Sequence, residues 1–277
     1  EDSLDLNWLA YSVSEALGDK SWAKKLYSQA EDRAESSLDL NWLAYSITET
    51  LGDKDWAKKL YKKAESDPDN IRELCDLADS ISETFADKEW QTQVYKQAEG
   101  MAKEHSEFYE LADSIYSKLG DEEWARELYK KAEDTAEDSS DLHSLVESLC
   151  VKLGDQEWAR KVYLKAEGMA QDSNDFCGLA DSLCEKLRDK ELARKLYERA
   201  EEKAVESFEF RWLADSLCEK LNDKEWAQRI YEKAEDKAQA YYELMWLAKS
   251  LSENLADEKW ANEVNRKAKN LSSYPQL

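Results

Sequence analysis

Three cysteines recur at one interval and are the first residues of this sequence whose type and spacing could support chemistry. Cys150, Cys184 and Cys218 lie 34 residues apart, and a row of thiols could bind a metal ion or form disulfides. Equivalent helices of neighbouring repeats lie about 8 to 10 Å apart, whereas a disulfide needs Cα atoms within about 7 Å and zinc needs four converging ligands. We therefore expect small, half-buried cysteines, with no metal and no cofactor.

Histidine and serine are the other residue types that could catalyse a reaction. His105 and His143 are in neither case accompanied by a Cys or Ser arrangement typical of an activated nucleophile. We expect both to be solvated or capping side chains. Ser12 has an equivalent in every copy of the 34-residue interval, where its hydroxyl can bond back to its own helix. The sequence has no P-loop and no Gly-x-Gly-x-x-Gly motif, so we predict no catalytic residues and no enzyme activity. The minor alternative is an active site assembled between repeats.

The common interval reflects an internal repeat that spans nearly the whole chain. Eight copies of 34 residues, without insertion or deletion, cover residues 1–272 of the 277 and leave a short tail, 273–277. Asp19 has an equivalent in all eight copies, and Trp22 belongs to a series of seven in which Leu192 takes the remaining place. Such a repeat predicts one stacked, continuous core. We therefore predict a single domain over 1–277, as part of a longer native chain.

Each copy contains the pattern of two helices joined by a tight turn. The first helix has an apolar stripe at the i, i+3, i+4, i+7 spacing of one helix face, which in the first copy is Leu6, Leu9, Ala10, Val13 and Leu17. Asp5 lies near its start, where a carboxylate can complete a capping box. Gly18 permits the positive φ of a helix end, and Asp19 is a good N-cap for the second helix. That helix is expected to bury Trp22, Ala23, Leu26, Tyr27, Ala30 and Ala34.

The order of small and aromatic residues resembles the tetratricopeptide repeat family, whose period is also 34. The resemblance covers nearly the whole chain and is carried by Leu9, Ala10, Val13, Gly18, Asp19, Ala23, Tyr27 and Ala30. It implies an all-α fold, an α-solenoid of eight helix-turn-helix repeats wound into a right-handed superhelix. It also implies that the first helix of each hairpin lines a concave surface. The chain departs from the family in having Trp22 before the small residue, a turn one residue longer, and the closing proline only at Pro68.

One face of the first helices carries the residues that we assign to partner binding. Positions 8, 11 and 15 of the copy point away from the apolar stripe, and aromatic or acidic residues fill most of them. The assigned residues are Trp8, Tyr11, Glu15, Trp42, Tyr45, Glu49, Asp79, Glu83, Asp113, Asp181, Glu185, Trp212, Asp215, Glu219 and Trp246. Exposed Trp often marks a binding surface, and carboxylates pair with Lys or Arg. We predict a non-enzymatic interaction scaffold whose acidic, Trp-containing groove binds a basic or amphipathic protein segment. The alternative is that these Trp residues pack against the next repeat and the carboxylates only favour solubility.

Charge and cysteine content restrict the partners further. The chain has 39 Lys and Arg against 62 Asp and Glu, a formal net charge of -23, which repels nucleic acid and anionic membranes alike. No run of apolar residues approaches the 18 that a membrane span needs. Five cysteines are an odd number and too scattered for a disulfide framework. We expect a cytoplasmic protein with a protein or peptide partner, no nucleic acid and no membrane.

A second functional hypothesis comes from the two ends of the array. Residues 3–27 and 37–61 differ at four positions, so the first copy is not a specialised cap, although an uncovered solenoid end exposes core. We expect either further repeats before it or another chain covering it. The last copy is modified: Asn265 replaces the recurring Tyr, and Lys269 replaces the recurring Glu. The alternative functions are therefore end-to-end self-association, or service as the repeat region of a larger multidomain protein.

Overall fold

A computed structural model of the chain describes residues 2–272, which form helices joined by short turns without any β-strand in that range. The predicted all-α, helical-repeat solenoid fold is confirmed. The chain divides into two compact units, Glu1–Thr135 and Ala136–Leu277, here called the N-terminal unit and the C-terminal unit. The single domain over 1–277 remains a prediction. The short tail, 273–277, lies outside the described residues.

The N-terminal unit contains four helical hairpins, and each hairpin corresponds to one copy of the repeat. Its helices are α1 (Ser3–Ser12), α2 (Lys20–Glu31), α3 (Ser37–Leu51), α4 (Lys54–Ser66), α5 (Ile71–Phe85), α6 (Lys88–Met101), α7 (His105–Ser114) and α8 (Glu122–Thr135). Helices α1 and α7 continue into π-helical turns at Val13–Leu17 and Ile115–Leu119. Within the unit the odd-numbered helices pack against one another, and each even-numbered helix also contacts the next odd-numbered one. The odd-numbered helices therefore share one continuous surface.

The C-terminal unit repeats this arrangement. Its helices are α9 (Ser139–Val151), α10 (Gln156–Met169), α11 (Ser173–Ser182), α12 (Lys190–Lys203), α13 (Ser207–Ser216), α14 (Lys224–Lys237), α15 (Tyr241–Ser250) and α16 (Glu258–Ser272). Three of its odd-numbered helices continue into π-helical turns, at Leu183–Leu187, Leu217–Leu221 and Leu251–Leu255. Here too, consecutive odd-numbered helices pack side by side.

The turn between the two helices of each hairpin has the geometry that the sequence predicts. All eight copies place a residue with positive φ at the end of the first helix, and four of these are glycine, such as Gly18 with φ of 68°. The other four are Ala86, Arg188, Asn222 and Ala256. The next residue is the recurring Asp, whose carboxylate accepts the backbone N–H three residues later, as Asp19 does from Trp22. The predicted N-cap is confirmed in every copy.

The core lies between the two helices of each hairpin and between successive hairpins. Leu6, Ala10 and Val13 are buried as predicted, and so is the Tyr27 series through Tyr231. Leu9 and Leu17 were expected in the core, yet they are 41% and 67% exposed. In the second copy Leu43, the equivalent of Leu9, is fully buried. The prediction for Leu9 is thus wrong only for the first copy, because this position faces the preceding hairpin. The equivalents of Leu17, such as Leu51, are half-buried rather than buried in the core.

The recurring Trp contacts the preceding repeat more than it fills the core of its own hairpin. In five copies its indole N–H donates to the Glu that ends the second helix of the preceding copy, as Trp56 does to Glu31 at 2.7 Å. Partial burial opposes ionisation of Glu99, but hydrogen bonds from Lys131 and Trp124 outweigh it and hold its pKa below the usual range. Hydrogen bonds to a charged acceptor are worth about 1.5 to 3 kcal/mol. The recurring Trp and Glu therefore link one hairpin to the next.

Candidate functional site

The aromatic residues assigned to the groove are exposed on the odd-numbered helices. Trp8 is 69% exposed and Trp42 is 53% exposed in the N-terminal unit, and Trp212 and Trp246 are exposed to similar degrees in the C-terminal unit. Exposed Trp side chains that do not pack against a neighbouring repeat form apolar surface available to a partner. The alternative that these residues pack against a neighbouring repeat holds in part for Trp246, whose ring lies 5.5 Å from the Arg211 guanidinium of the preceding copy.

A pocket opens between α3 and α5 of the N-terminal unit, with a volume of about 230 Å³. Its walls combine two aromatic rings, three carboxylates, an amide and a hydroxyl. The lining residues are Leu38, Asn41, Trp42, Tyr45, Asp76, Asp79, Ser80 and Glu83. Three of these, Tyr45, Asp79 and Glu83, belong with Trp42 to the set that the sequence assigned to binding. The structure therefore brings these four together at one place.

The carboxylates of this pocket differ in how they are held. Asp79 accepts the Tyr95 hydroxyl at 2.6 Å and pairs with Lys118 at 2.9 Å. Desolvation and the neighbouring charge of Asp79 raise the pKa of Asp76. Glu83 makes no hydrogen bond or ion pair among residues 2–272. The pocket thus keeps two carboxylates that a cation from outside could neutralise.

Carboxylates on the rest of this surface are also unpaired. Glu15 and Glu49 are the equivalents of Glu83 in the first two copies, and both are exposed without an ion pair in the described part of the chain. Together with Trp8 and Trp42 they form a surface that we call the N-terminal acidic face, defined by Trp8, Glu15, Trp42, Glu49 and Glu83. Its combination of exposed rings and unpaired negative charge suits a cationic partner.

The corresponding surface of the C-terminal unit already holds a cation of its own. The Arg211 guanidinium lies 5.8 Å from the ring centre of Trp212 and 5.5 Å from that of Trp246. It also pairs with Asp215 at 2.9 Å, and its side chain is only 11% exposed. The rings and the carboxylate that the sequence assigned to an external partner are thus engaged by this arginine.

Other carboxylates of this unit are paired in the same manner. Glu147 pairs with Lys186 at 2.6 Å, and Glu185 pairs with Lys220 at 2.7 Å. Asp181 accepts hydrogen bonds from the hydroxyls of Tyr197 and Ser216, and burial raises its pKa. Glu219 lies 3.6 Å from the Lys220 ammonium. We call this surface the C-terminal paired face, defined by Glu147, Glu185, Trp212, Asp215 and Trp246.

Internal pairing in the C-terminal unit therefore involves four of the residues that the sequence assigned to partner binding. Asp181, Glu185, Asp215 and Glu219 all have internal partners. Two assigned residues of the N-terminal unit are internally engaged as well, Asp79 as described and Asp113 through the hydroxyl of Tyr129. Two kinds of contact are the physical reason. Within a hairpin, the recurring Tyr of the second helix donates to the carboxylate 16 residues earlier. Between copies, stacking brings a Lys or Ser of the next hairpin beside a carboxylate.

The sequence indicates this pairing only when residues of neighbouring copies are compared with one another. The residue type at position 11 of a copy correlates with the residue type found 39 residues later. Tyr11 and Tyr45 are followed by Thr, whereas Asp79, Glu147 and Asp181 are followed by Lys and Asp215 by Asn. In the structure, Lys118 and Lys186 pair with the acids of this register, and the Asn254 amide donates to Asp215 at 2.9 Å.

The residues considered for catalysis have structural surroundings. Cys150, Cys184 and Cys218 are half-buried and free, as expected, and burial raises the pKa of each thiol. The prediction of solvated or capping histidines holds for capping in one case and is wrong for solvation. His105 is buried and donates to the Ala132 carbonyl in the last turn of α8 at 2.8 Å, while His143 is half-buried and desolvation lowers its pKa. Within residues 2–272, no group of three His, Cys, Asp or Glu side chains could hold a metal ion.

Two comparisons with known proteins found no match to this chain. No protein-family model matches it. No curated protein matches it significantly either. Between residues 2 and 272, the helices are too short or too polar to cross a membrane. Function must therefore be argued from the two faces themselves.

Proposed function

We propose that the protein is a non-enzymatic interaction scaffold whose N-terminal acidic face binds a basic or amphipathic segment of another protein. The observation that carries this proposal is the coincidence of exposed Trp8 and Trp42 with three carboxylates, Glu15, Glu49 and Glu83, that have no cation of their own in the described chain. Lys or Arg side chains of the partner would pair with the carboxylates and stack on the rings.

The proposal also takes up the resemblance to tetratricopeptide repeats. In that family the first helices of the hairpins line the ligand groove, and here they carry the N-terminal acidic face. The five free cysteines suit a reducing compartment such as the cytoplasm. The charge of -23 favours a basic protein over nucleic acid or an anionic membrane.

The direct test is a calorimetric titration of the intact protein with a peptide that alternates alanine and arginine. We expect binding at one site per chain that weakens between 50 and 300 mM salt, because exposed charge pairs are screened. Replacing Trp42 by alanine should abolish most of it. Binding of equal strength by a glutamate-containing peptide of the same length would contradict the proposal, as would binding that is indifferent to Trp42.

A second candidate function, end-to-end association, is favoured by the outer surface of the first copy. Leu9, Leu17 and Trp22 are exposed there, whereas their equivalents in the nearly identical second copy are buried or half-buried beneath the first hairpin. The Trp22 indole N–H has no acceptor among the described residues, while Trp56 donates to Glu31. This surface therefore has the shape and chemistry to receive another helical hairpin.

The last copy does not complement the exposed surface of the first copy, so we do not expect a head-to-tail association. Lys269 stands where other copies have the Glu that accepts the indole N–H, so a head-to-tail contact would bring an ammonium to Trp22. The self-association that remains is a two-fold contact between two first copies. We expect sedimentation to show a concentration-dependent dimer that Leu9→Lys abolishes, whereas the control Leu164→Lys, at another exposed leucine, has no effect. A monomer mass at every concentration would exclude this candidate.

A further inference from the structure

The pocket between α3 and α5 contains a buried acceptor that has no donor. Asn41 lines the pocket and is only 6% exposed, and its carbonyl oxygen Oδ1 has no hydrogen-bond partner. A buried acceptor without a partner costs about 1 to 3 kcal/mol. An N–H group placed in the pocket would remove that cost.

The other residues that line the pocket indicate that the ligand group carrying this N–H is positively charged. Trp42 and Tyr45 supply aromatic faces, while Asp76 and Glu83 supply carboxylates. Two cations of the described chain lie near these carboxylates, and both have other partners: Lys118 pairs with Asp79 at 2.9 Å. Arg72 pairs with Glu110 at 2.8 Å and only partly offsets the rise in the pKa of Asp76. Aromatic faces and carboxylates both favour a cation, and neither favours an anion.

The C-terminal unit shows which cation this repeat accommodates. Arg211 occupies the same position of the copy as Asn41, and its guanidinium lies between Trp212 and Trp246 while it pairs with Asp215. Where the chain has Asn41 instead of arginine, Trp42 keeps the position of Trp212, while Tyr45 stands at the position of Asp215 and Asp76 at that of Trp246. The pocket therefore still offers two rings and a carboxylate, although the second ring and the carboxylate have exchanged positions, and the internal guanidinium is missing. An arginine from a partner would restore the arrangement.

We propose that the pocket lined by Asn41, Trp42, Tyr45, Asp76 and Glu83 is a binding site for one guanidinium group, supplied by an arginine of the partner. The guanidinium stacks on the aromatic rings, donates one N–H to Asn41 Oδ1 and pairs with a carboxylate through another. A quaternary ammonium has no N–H and leaves Asn41 unsatisfied. This inference rests on the proposed function, since it names the side chain that the N-terminal acidic face recognises.

The test compares three peptides that are identical except for the cationic residue: arginine, lysine or trimethyl-lysine. Each is titrated into the intact protein and into the Asn41→Leu variant. We expect the arginine peptide to bind about tenfold more tightly than the trimethyl-lysine peptide. Asn41→Leu should remove that difference by weakening only the peptides that carry N–H groups. Thermal unfolding of the variant checks that it folds.

Two further variants keep the test decisive. Asn7 is the equivalent amide of the first copy, equally buried and unpaired, and it does not line this pocket, so Asn7→Leu should leave all three affinities unchanged. If Asn41→Leu does not fold, Asp76→Asn on the exposed rim serves instead and should weaken the arginine peptide several-fold. An equal loss in both Leu variants, or equal binding of the three peptides, would overturn the guanidinium site.

The same titrations distinguish an error in the guanidinium site from an error in the proposed function. If the three peptides bind equally but Trp42→Ala still weakens them, the face binds basic segments and only the guanidinium pocket is wrong. If no basic peptide binds, or if Trp42→Ala changes nothing, the proposed function itself is wrong.

Discussion

The N-terminal acidic face and the C-terminal paired face are built from the same repeat but differ in what satisfies their charges. In the first, Glu15, Glu49 and Glu83 have no cation among the described residues. In the second, Glu185 and Asp215 each have a Lys or Arg within 3 Å. One backbone thus supports either an internally neutralised surface or one that is free for a partner, and a few positions decide between them.

Those positions lie at the edges between copies. Position 7 is Asn in the first two copies and Arg211 in the seventh, and position 16 is Ala or Thr in the first three copies and Lys in the next four. Substituting these residues does not disturb the apolar stripe or the caps, which explains how the two faces can diverge within one fold.

The largest difference is expected for the exposed tryptophans. Trp42→Ala should weaken binding of the arginine peptide about thirtyfold, because buried aromatic anchors often contribute about 2 kcal/mol or more to an interface. Trp212→Ala removes an equally exposed ring at the same position of the repeat and should change the affinity less than twofold. Calorimetry measures both. Similar losses in the two variants would mean that the faces do not differ in function.

Removing Arg211 should make the C-terminal paired face behave more like the N-terminal acidic face. In a Trp42→Ala background, Arg211→Asn places at position 7 the residue found in the first two copies. It frees the rings of Trp212 and Trp246 and removes the cation paired with Asp215, which keeps its hydrogen bonds from Tyr231, Ser250 and Asn254. We expect binding of the arginine peptide to the C-terminal unit to increase about tenfold. Arg211→Lys keeps a cation there and is the matched control. No gain in the Asn variant would show that internal pairing is not what closes this face.

The pH dependence of binding should be carried by the N-terminal acidic face. The pKa of Asp76 is raised by desolvation and by the charge of Asp79, so its carboxylate protonates at a higher pH than an ordinary Asp, which titrates near 3.9. Protonation removes attraction for the cationic peptide, so affinity should fall as the pH decreases, and the fall should begin at a higher pH than an ordinary Asp would produce. The decrease should be smaller in Asp76→Asn. An affinity that rises toward low pH would contradict this assignment.

The smallest effect is expected from an exposed ion pair of the C-terminal paired face. Lys220→Ala leaves Glu185 and Glu219 without their ammonium partner. Exposed pairs contribute about 0 to 1 kcal/mol, so affinity for the arginine peptide should increase by about twofold at low salt and not at 300 mM. Lys267→Ala, which breaks a pair outside this face, should have no effect at either concentration.

Much of the fold could be predicted from residues that act locally. The apolar spacing predicted both helices of each copy, and Gly18 and Asp19 predicted how one ends and the next begins. Ala86 and Arg188 adopt the same positive φ without being glycine, since the surrounding hairpin outweighs the cost of a side chain there. His105 shows the opposite limit: it is buried and bonded to a carbonyl 27 residues away, which no local pattern indicates.

The sequence by itself determined the repeat, its helices, its caps and the identity of the residues on the exposed face, because helix periodicity and capping depend on neighbours within about four residues. Only the tertiary structure decided which carboxylates are free. That depends on side chains 35 or 39 residues apart, as in Glu185 with Lys220 and Glu147 with Lys186, which meet only when one hairpin stacks on another. Only stacking, likewise, distinguishes the exposed Leu9 from the buried Leu43, two residues in almost identical sequence.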